Sequence, residues 1–119
     1  MKILIIEDDS DIRDILMFTF DSEVSATYLH ANCGKEGIDV INMTDDIDLI
    51  VCDYNMPNGN GGTVYQYLLD NNINIPYVMC SSDLAEDHEE FENKKTFLCQ
   101  IVKPHLYEGV QKTLHLFEK

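Results

Sequence analysis

The chain has 119 residues, enough for one well-packed domain but not for two, and its 45% hydrophobic content excludes general disorder. Its 22 acidic and 8 basic residues give a formal charge of −14, which excludes nucleic acid as a direct ligand. No apolar run is long enough to span a membrane, and Glu7 interrupts the apolar start too early for a signal peptide. We therefore expect a cytoplasmic protein.

Its four cysteines are expected to be buried thiols: Cys33, Cys52, Cys80 and Cys99.

Short apolar runs alternate with amphipathic segments along the chain. The apolar runs predict five strands, at residues 2–6, 25–31, 48–52, 75–80 and 97–102. The amphipathic segments predict helices at residues 10–20, 34–43, 82–93 and 105–117, and one more directly after the glycine-rich loop at 59–62. Strands that are apolar throughout and alternate with helices form parallel sheets. We therefore predict an α/β fold with helices on both faces, in a single domain of residues 1–119.

The first predicted helix is amphipathic. Asp9 or Ser10 is expected to cap its first turn. Met17 and Phe18 fall outside the stripe that should face the core. The side chains expected to face inward are Ile12, Ile15, Leu16 and Phe20.

Polar side chains stand at the ends of four predicted strands. Because the carboxyl ends of parallel strands gather at one edge of the sheet, near the point where the strand order reverses, we expect these groups to meet. They are Glu7, Asp8 and Asp9 after the first strand, Asp53 after the third, Ser81 and Ser82 after the fourth, and Lys103 and Pro104 after the fifth.

The acidic residues of this set favour a metal-assisted phosphoryl chemistry. The carboxylates of Glu7, Asp8 and Asp53 would repel one another without a cation, and oxygen ligands suit Mg²⁺. The backbone carbonyl of Asn55 is a further candidate ligand. The Asp53 carboxylate is a candidate nucleophile toward a phosphoryl group, forming an acyl phosphate.

In this order and spacing, the residues resemble the receiver domain of two-component response regulators. The resemblance is carried by segments 4–9 (LIIEDD), 51–57 (VCDYNMP) with Gly61 four residues on, 77–81 (YVMCS) and 102–104 (VKP), and it covers essentially the whole chain. It implies a flavodoxin-like, doubly wound five-stranded parallel sheet of order 2-1-3-4-5, with five βα units. It also implies a regulatory domain rather than an enzyme, which catalyses only its own phosphorylation and dephosphorylation.

The resemblance assigns roles to the strand-end residues. It implies phosphoryl transfer to Asp53 from a phosphohistidine of a sensor histidine kinase or histidine phosphotransfer protein. Mg²⁺ or Mn²⁺ would be held by Glu7, Asp8 and Asp53, and the phosphorylated domain would switch conformation to control a downstream protein target. Further residues are implicated as phosphoryl ligands (Ser81 and Lys103), as the site of a cis peptide bond (Pro104) and in tuning the rate of dephosphorylation (Asn55 and Asp83).

The chain departs from the family pattern at three places. Gln100 stands three positions before the lysine, where receivers usually carry an aromatic residue that moves with the hydroxyl on activation. The segment 83–93 is unusually acidic, on the family's usual output face. Met17 and Phe18 stand where the family usually has charges, so we hypothesise that they dock a helix of the phosphoryl donor.

Two other functions remain open at this point. A pseudo-receiver would keep the fold and bind partners without phosphorylation; the site residues are all present, and Gln100 is the feature that keeps this alternative open. An aspartate-nucleophile phosphatase of the haloacid dehalogenase type would need a second acid in place of Asn55, and usually a longer chain. ATP is disfavoured as a direct donor because the sequence has no GxxxxGK[ST] motif. The sequence also leaves open whether the receiver stands alone or belongs to a larger regulator.

Overall fold

The computed structural model describes residues 1–56, 58–82, 91 and 96–118. Within these ranges the strands are β1 (Lys2–Ile6), β2 (Thr27–Ala31), β3 (Leu49–Asp53), β4 (Tyr77–Ser81) and β5 (Phe97–Val102). The helices are α1 (Ser10–Asp21), α2 (Gly34–Met43), α3 (Gly61–Asp70) and α4 (Leu106–Phe117). The predicted helix at 82–93 lies outside the described residues except at its two positions 82 and 91. No helix in the described ranges combines the length and the apolar character that crossing a membrane requires.

All five strands are parallel, in the order β2-β1-β3-β4-β5, as predicted. Strands β3 and β4 are buried along their whole length, which is why their sequences are continuous apolar runs. The chain leaves β1 toward β2 on one side and returns to β3 on the other. The switch point of this sheet therefore lies between the carboxyl ends of β1 and β3.

Successive side chains along a strand point to opposite faces of the sheet and pack into two separate apolar layers. Ile3 and Ile5 of β1 face the layer shared with α1 and α4, and Leu4 and Ile6 face the layer shared with α2 and α3. Because a slip of one residue would exchange these two faces, packing on both sides specifies the register of β1. That register fixes which residues emerge at the carboxyl edge.

Two predictions about which side chains of α1 face the core are wrong. Ile15 was expected to face the core but is 48% exposed, whereas Met17 was expected to face outward but packs against the core. Both residues lie about 100° from Leu16, on opposite flanks of the buried stripe, so the periodicity alone does not decide between them. Phe18 is 77% exposed, in agreement with its predicted position.

The Asp9 carboxylate caps the helix by accepting hydrogen bonds from the second and third residues of α1.

The cysteines are free thiols with different exposures. Cys52, Cys80 and Cys99 are buried as predicted, but Cys33, which immediately precedes α2, is only half-buried. Burial raises the pKa of Cys80 to about 12, and it also raises the pKa of Cys52 and Cys99. The three buried thiols therefore remain protonated at neutral pH and act as small apolar core residues.

Candidate functional site

Three carboxylates meet at the switch point. Ile6 and Cys52 are paired in the sheet, so the residues that follow them, Glu7 and Asp53, leave adjacent strands side by side. One carboxylate oxygen from each of Glu7, Asp8 and Asp53 lies within 4.8 Å of the others. Glu7 is 1% exposed and Asp53 is 5% exposed, while Asp8 faces solvent. The cluster is therefore buried on one side and accessible on the other.

The buried carboxyl of Glu7 is the most strongly perturbed group of the cluster. Burial, reinforced by the neighbouring carboxyl of Asp53, raises the pKa of Glu7 to about 8, although the Lys103 ammonium acts in the opposite direction. Glu7 Oε2 is buried, and no N–H or hydroxyl group in the described part of the chain donates a hydrogen bond to it. A buried carboxylate oxygen with an unused lone pair, facing two further carboxylates, fits a hard divalent cation such as Mg²⁺.

Lys103 brings positive charge to the cluster from the end of β5. Its Nζ lies 2.9 Å from Glu7 Oε1 and 3.4 Å from Asp53 Oδ2. Burial acts to lower the pKa of Lys103, but the contacts with Glu7 and Asp53 outweigh it, and the net shift is upward. Lys103 is therefore a cation at neutral pH. The peptide bond from Lys103 to Pro104 is cis.

Ser81 ends β4 on the same edge. Cys80 pairs with Asp53 in the sheet. Ser81, the next residue of β4, therefore lies one residue closer to the carboxyl edge of the sheet than Asp53. Ser81 is buried, and its carbonyl accepts a hydrogen bond from the Lys103 backbone N–H at 3.1 Å. The strand ends that carry Asp53, Ser81 and Lys103 are thus neighbours in the order β3-β4-β5.

The turn after Asp53 is stabilised by a hydrogen bond to the Asp53 side chain and by close packing against Gly61. The Asn55 N–H donates to Asp53 Oδ1 at 3.3 Å, while the Asn55 side chain is exposed. A Cβ on Gly61 would lie 2.8 Å from the Asp53 carbonyl oxygen and 2.9 Å from Tyr54 Cα. The buried Tyr77 hydroxyl also donates to the Gly61 carbonyl at 2.8 Å. Only glycine therefore fits at position 61 with the site in this arrangement.

Two side chains beyond the predicted carboxylate, hydroxyl and lysine set contact the backbone of the site. Arg13 Nη1 donates to the Glu7 carbonyl at 3.3 Å and to Asn32 Oδ1 at 2.8 Å, which ties the loops after β1 and β2 together. Gln100 Nε2 donates to the Ser81 carbonyl at 3.1 Å. The sequence marked Gln100 as a departure but did not mark Arg13, because its reach across a loop leaves no periodic signal. Asp83 lies outside the described residues.

Fold and site together define a flavodoxin-like α/β domain with an acidic pocket at its switch point. The chain belongs to the response regulator receiver domain family, whose model matches residues 3–111. This confirms the resemblance found in the sequence.

Known proteins of several kinds are similar to this chain. The receiver domain of Francisella response regulator 1452 is 28% identical, with a TM-score of 0.79 and coverage of 98% of this chain and 96% of that one. The chemotaxis protein CheY4 of Vibrio cholerae shares the fold, with a TM-score of 0.80 at 23% identity and coverage of 96% and 95%. The response regulator SaeR of Staphylococcus epidermidis is 30% identical over 87 residues, which are 71% of this chain and 35% of that protein.

A fourth relative is much longer. The terminal-differentiation-specific adenylate cyclase of Dictyostelium discoideum is 29% identical over 128 residues, covering 99% of this chain but 6% of the cyclase. The chain therefore spans about a third, or far less, of the curated relatives it matches.

Proposed function

We propose that residues 1–119 act as one phosphoacceptor receiver domain in the cytoplasm. Asp53 accepts a phosphoryl group from a phosphohistidine of a sensor histidine kinase or histidine phosphotransfer protein, and the modified domain controls a downstream protein target. The observation that carries this proposal is the buried Asp53 carboxylate, which lies beside Glu7 at the switch point with the Lys103 ammonium 3.4 Å from its Oδ2. Because receivers are regulatory domains, the chain is not proposed to turn over a separate substrate.

The transfer exchanges one bond to phosphorus for another. An Asp53 carboxylate oxygen forms the new phosphorus–oxygen bond while the phosphorus–nitrogen bond breaks, and the departing imidazole takes a proton from water. The three equatorial phosphoryl oxygens carry charge that the site must neutralise. Lys103 supplies an ammonium for one of them, and the Ser81 hydroxyl donates a hydrogen bond to another.

A divalent cation completes the set of neutralising charges. Glu7, Asp8 and Asp53, with the backbone carbonyl of Asn55, would hold Mg²⁺ or Mn²⁺, which when bound supplies positive charge to the phosphoryl group. The protein's own contribution is to hold these oxygens together. Glu7 stays in place because its side chain is buried, and Lys103 offsets part of the repulsion among the carboxylates.

Intact mass spectrometry tests the proposed function. The protein is incubated with acetyl phosphate or phosphoramidate, with and without Mg²⁺, beside the Asp53→Asn variant. We expect a single phosphoryl adduct that requires both the cation and Asp53. If the folded protein takes no phosphoryl group from either compound or from a phosphorylated histidine phosphotransfer domain, the proposal fails and the pseudo-receiver function is favoured. Turnover of a phosphate ester would instead favour the phosphatase.

The outer face of α1 is the surface we propose for docking the donor. Ile15 and Phe18 are neighbours at a spacing of three residues and are exposed, and they replace the pair Met17 and Phe18 expected from the sequence. Helix α1 begins at Ser10, directly after the acidic loop. Ile15 and Phe18 lie about one to two helical turns from that loop, so a donor helix seated on them lies on the side of the domain from which the loop emerges.

Charge placed on this pair is expected to slow phosphotransfer selectively. The double variant Ile15→Glu, Phe18→Lys should reduce the transfer rate from the cognate donor by about tenfold or more, because buried apolar anchors dominate interfaces. Phosphorylation by acetyl phosphate should not change. Met43→Lys, at an 85% exposed residue of α2, serves as the matched control. An unchanged transfer rate from the donor would contradict the docking assignment.

The lifetime of the phosphorylated state is expected to depend on the side chains at positions 55 and 83. Asn55 is exposed beside Asp53, where its amide can orient or exclude an attacking water; Asp83 lies outside the described residues. Asn55→Ala and Asp83→Ala should each change the rate of phosphoryl loss. The measurement is the decay of the adduct after the donor is removed by rapid desalting, and equal decay in all three proteins would reject this assignment.

A further inference from the structure

Gln100 connects β5 to the end of β4 through its side chain. It pairs with Met79 in the sheet, two residues before the pair formed by Val102 and Ser81. Its Nε2 nevertheless reaches forward to donate a hydrogen bond to the Ser81 carbonyl at 3.1 Å. The same carbonyl accepts the Lys103 N–H, also at 3.1 Å. Since a carbonyl oxygen has two lone pairs, β5 engages the full accepting capacity of this one atom.

The second of these bonds depends on the identity of residue 100. The bond from the Lys103 N–H belongs to the backbone ladder and forms with any side chains. The bond from Gln100 is added by its amide, in a partly buried position. With two donors fixed on different residues of β5, the peptide group that joins Ser81 to Ser82 cannot turn without breaking one of them. The orientation of this peptide group limits the positions that the Ser81 hydroxyl can reach.

We infer that Gln100 is a positioning residue, which holds the Ser81 peptide so that the Ser81 hydroxyl meets the phosphoryl group on Asp53. This inference rests on the proposed function and adds a residue to it. Gln100 also lines a surface cavity of about 410 Å³ beside α4, together with His105 and Glu108. The amide hydrogen bond thus links the Ser81 carbonyl directly to a residue of the surface between β5 and α4.

A double-mutant cycle separates this role from a general structural one. Gln100→Leu removes the donor at similar volume and should slow phosphorylation of Asp53 by acetyl phosphate by about 3- to 10-fold, the range expected for one hydrogen bond. In a Ser81→Ala background it should have no further effect, because the hydroxyl it positions is absent. Gln111→Leu is the matched control, since the Gln111 amide donates instead to Glu23, an exposed residue in the turn after α1.

A spectroscopic readout tests the hydrogen bond without phosphorylation. In the metal-free protein, Gln100→Leu should shift the amide resonance of Ser82, whose N–H shares the peptide group with the Ser81 carbonyl, whereas Gln111→Leu should not. Gln100→Met, which also lacks the donor at similar volume and adds no charge, replaces the leucine variant if that variant does not fold.

The outcomes distinguish this inference from the proposed function. An unshifted Ser82 resonance, an unchanged phosphorylation rate, or a full effect of Gln100→Leu in the Ser81→Ala background would each overturn the positioning role alone. Failure of the unmodified protein to accept a phosphoryl group would instead overturn the proposed function, and the role of Gln100 with it.

Discussion

Replacing Glu7 with glutamine is expected to stabilise the metal-free protein at pH 9 by ~2 kcal/mol or more, which corresponds to a rise of roughly 5 °C or more in Tm. The side chain is 1% exposed and faces the Asp53 carboxyl. Once Glu7 ionises, the folded state contains two adjacent buried negative charges that Lys103 alone offsets only in part. Glutamine has nearly the same shape and carries no charge, so it removes this repulsion.

The stability gained by Glu7→Gln should increase as the pH rises. The folded-state pKa of Glu7, about 8, lies above the ordinary value of 4.5 that applies to the unfolded chain. The unfolded state therefore releases this proton first, and the stability contributed by protonated Glu7 is complete below pH 4.5 and is lost as the pH rises through 8. Glutamine does not titrate. The stability difference between the two proteins should thus be small at pH 5, grow across this interval and level off above pH 8.

Thermal denaturation from pH 5 to pH 9 measures this difference. Glu108→Gln, which removes an exposed carboxylate from α4, provides the control and should show no such pH-dependent gain. Mg²⁺ added at pH 8 should raise the Tm of the unmodified protein more than that of the Glu7→Gln variant, because the carboxylate of Glu7 is a strong ligand and the glutamine amide that replaces it is not. Parallel pH profiles of the unmodified protein and the Glu7→Gln variant would contradict the electrostatic account of the pocket.

The parts of this structure that the sequence predicts are those set by local pattern. The central strands β1, β3 and β4 are nearly continuous apolar runs because they are buried on both faces, and the polar residues at their ends mark where the chain emerges from the sheet. Knowing that the strands are parallel was enough to expect Glu7, Asp53 and Lys103 at one edge. The pairing of Ile6 with Cys52 then brings the first two side by side.

The parts that the sequence does not predict are set by packing between distant segments. Ile15 and Met17 flank the buried stripe of α1 equally, and only the packing of the folded core decides that Met17 is covered. The contacts of Arg13 and Gln100 with backbone carbonyls depend on how far each side chain reaches across a loop or a strand. Residue type alone does not specify an acceptor, so such contacts leave no pattern to read.

Gly61→Ala is expected to weaken the metal site strongly, because Gly61 packs directly against the backbone of Asp53. The β-carbon of Gly61→Ala would meet the Asp53 carbonyl oxygen, Tyr54 Cα and the Tyr77 hydroxyl oxygen at 2.8–2.9 Å. Backbone cannot rotate away as a flexible side chain can, so the turn that carries Asp53 must shift. We expect Mg²⁺ affinity to fall by about 10- to 100-fold, as when the groups that support metal ligands are altered, and phosphorylation to slow with it.

Gly109→Ala is the matched control for this prediction, because it also crowds the interior but away from the site. The three atoms nearest to its β-carbon would all be side-chain atoms of Ile101, on the α4 side of the sheet. Both variants are expected to lose ~1–3 kcal/mol of stability through overpacking. Only Gly61→Ala should weaken Mg²⁺ binding when both are measured by isothermal titration calorimetry at a temperature where each is folded. Equal Mg²⁺ affinities in the two variants would mean that the backbone of the Asp53 turn does not position the metal ligands.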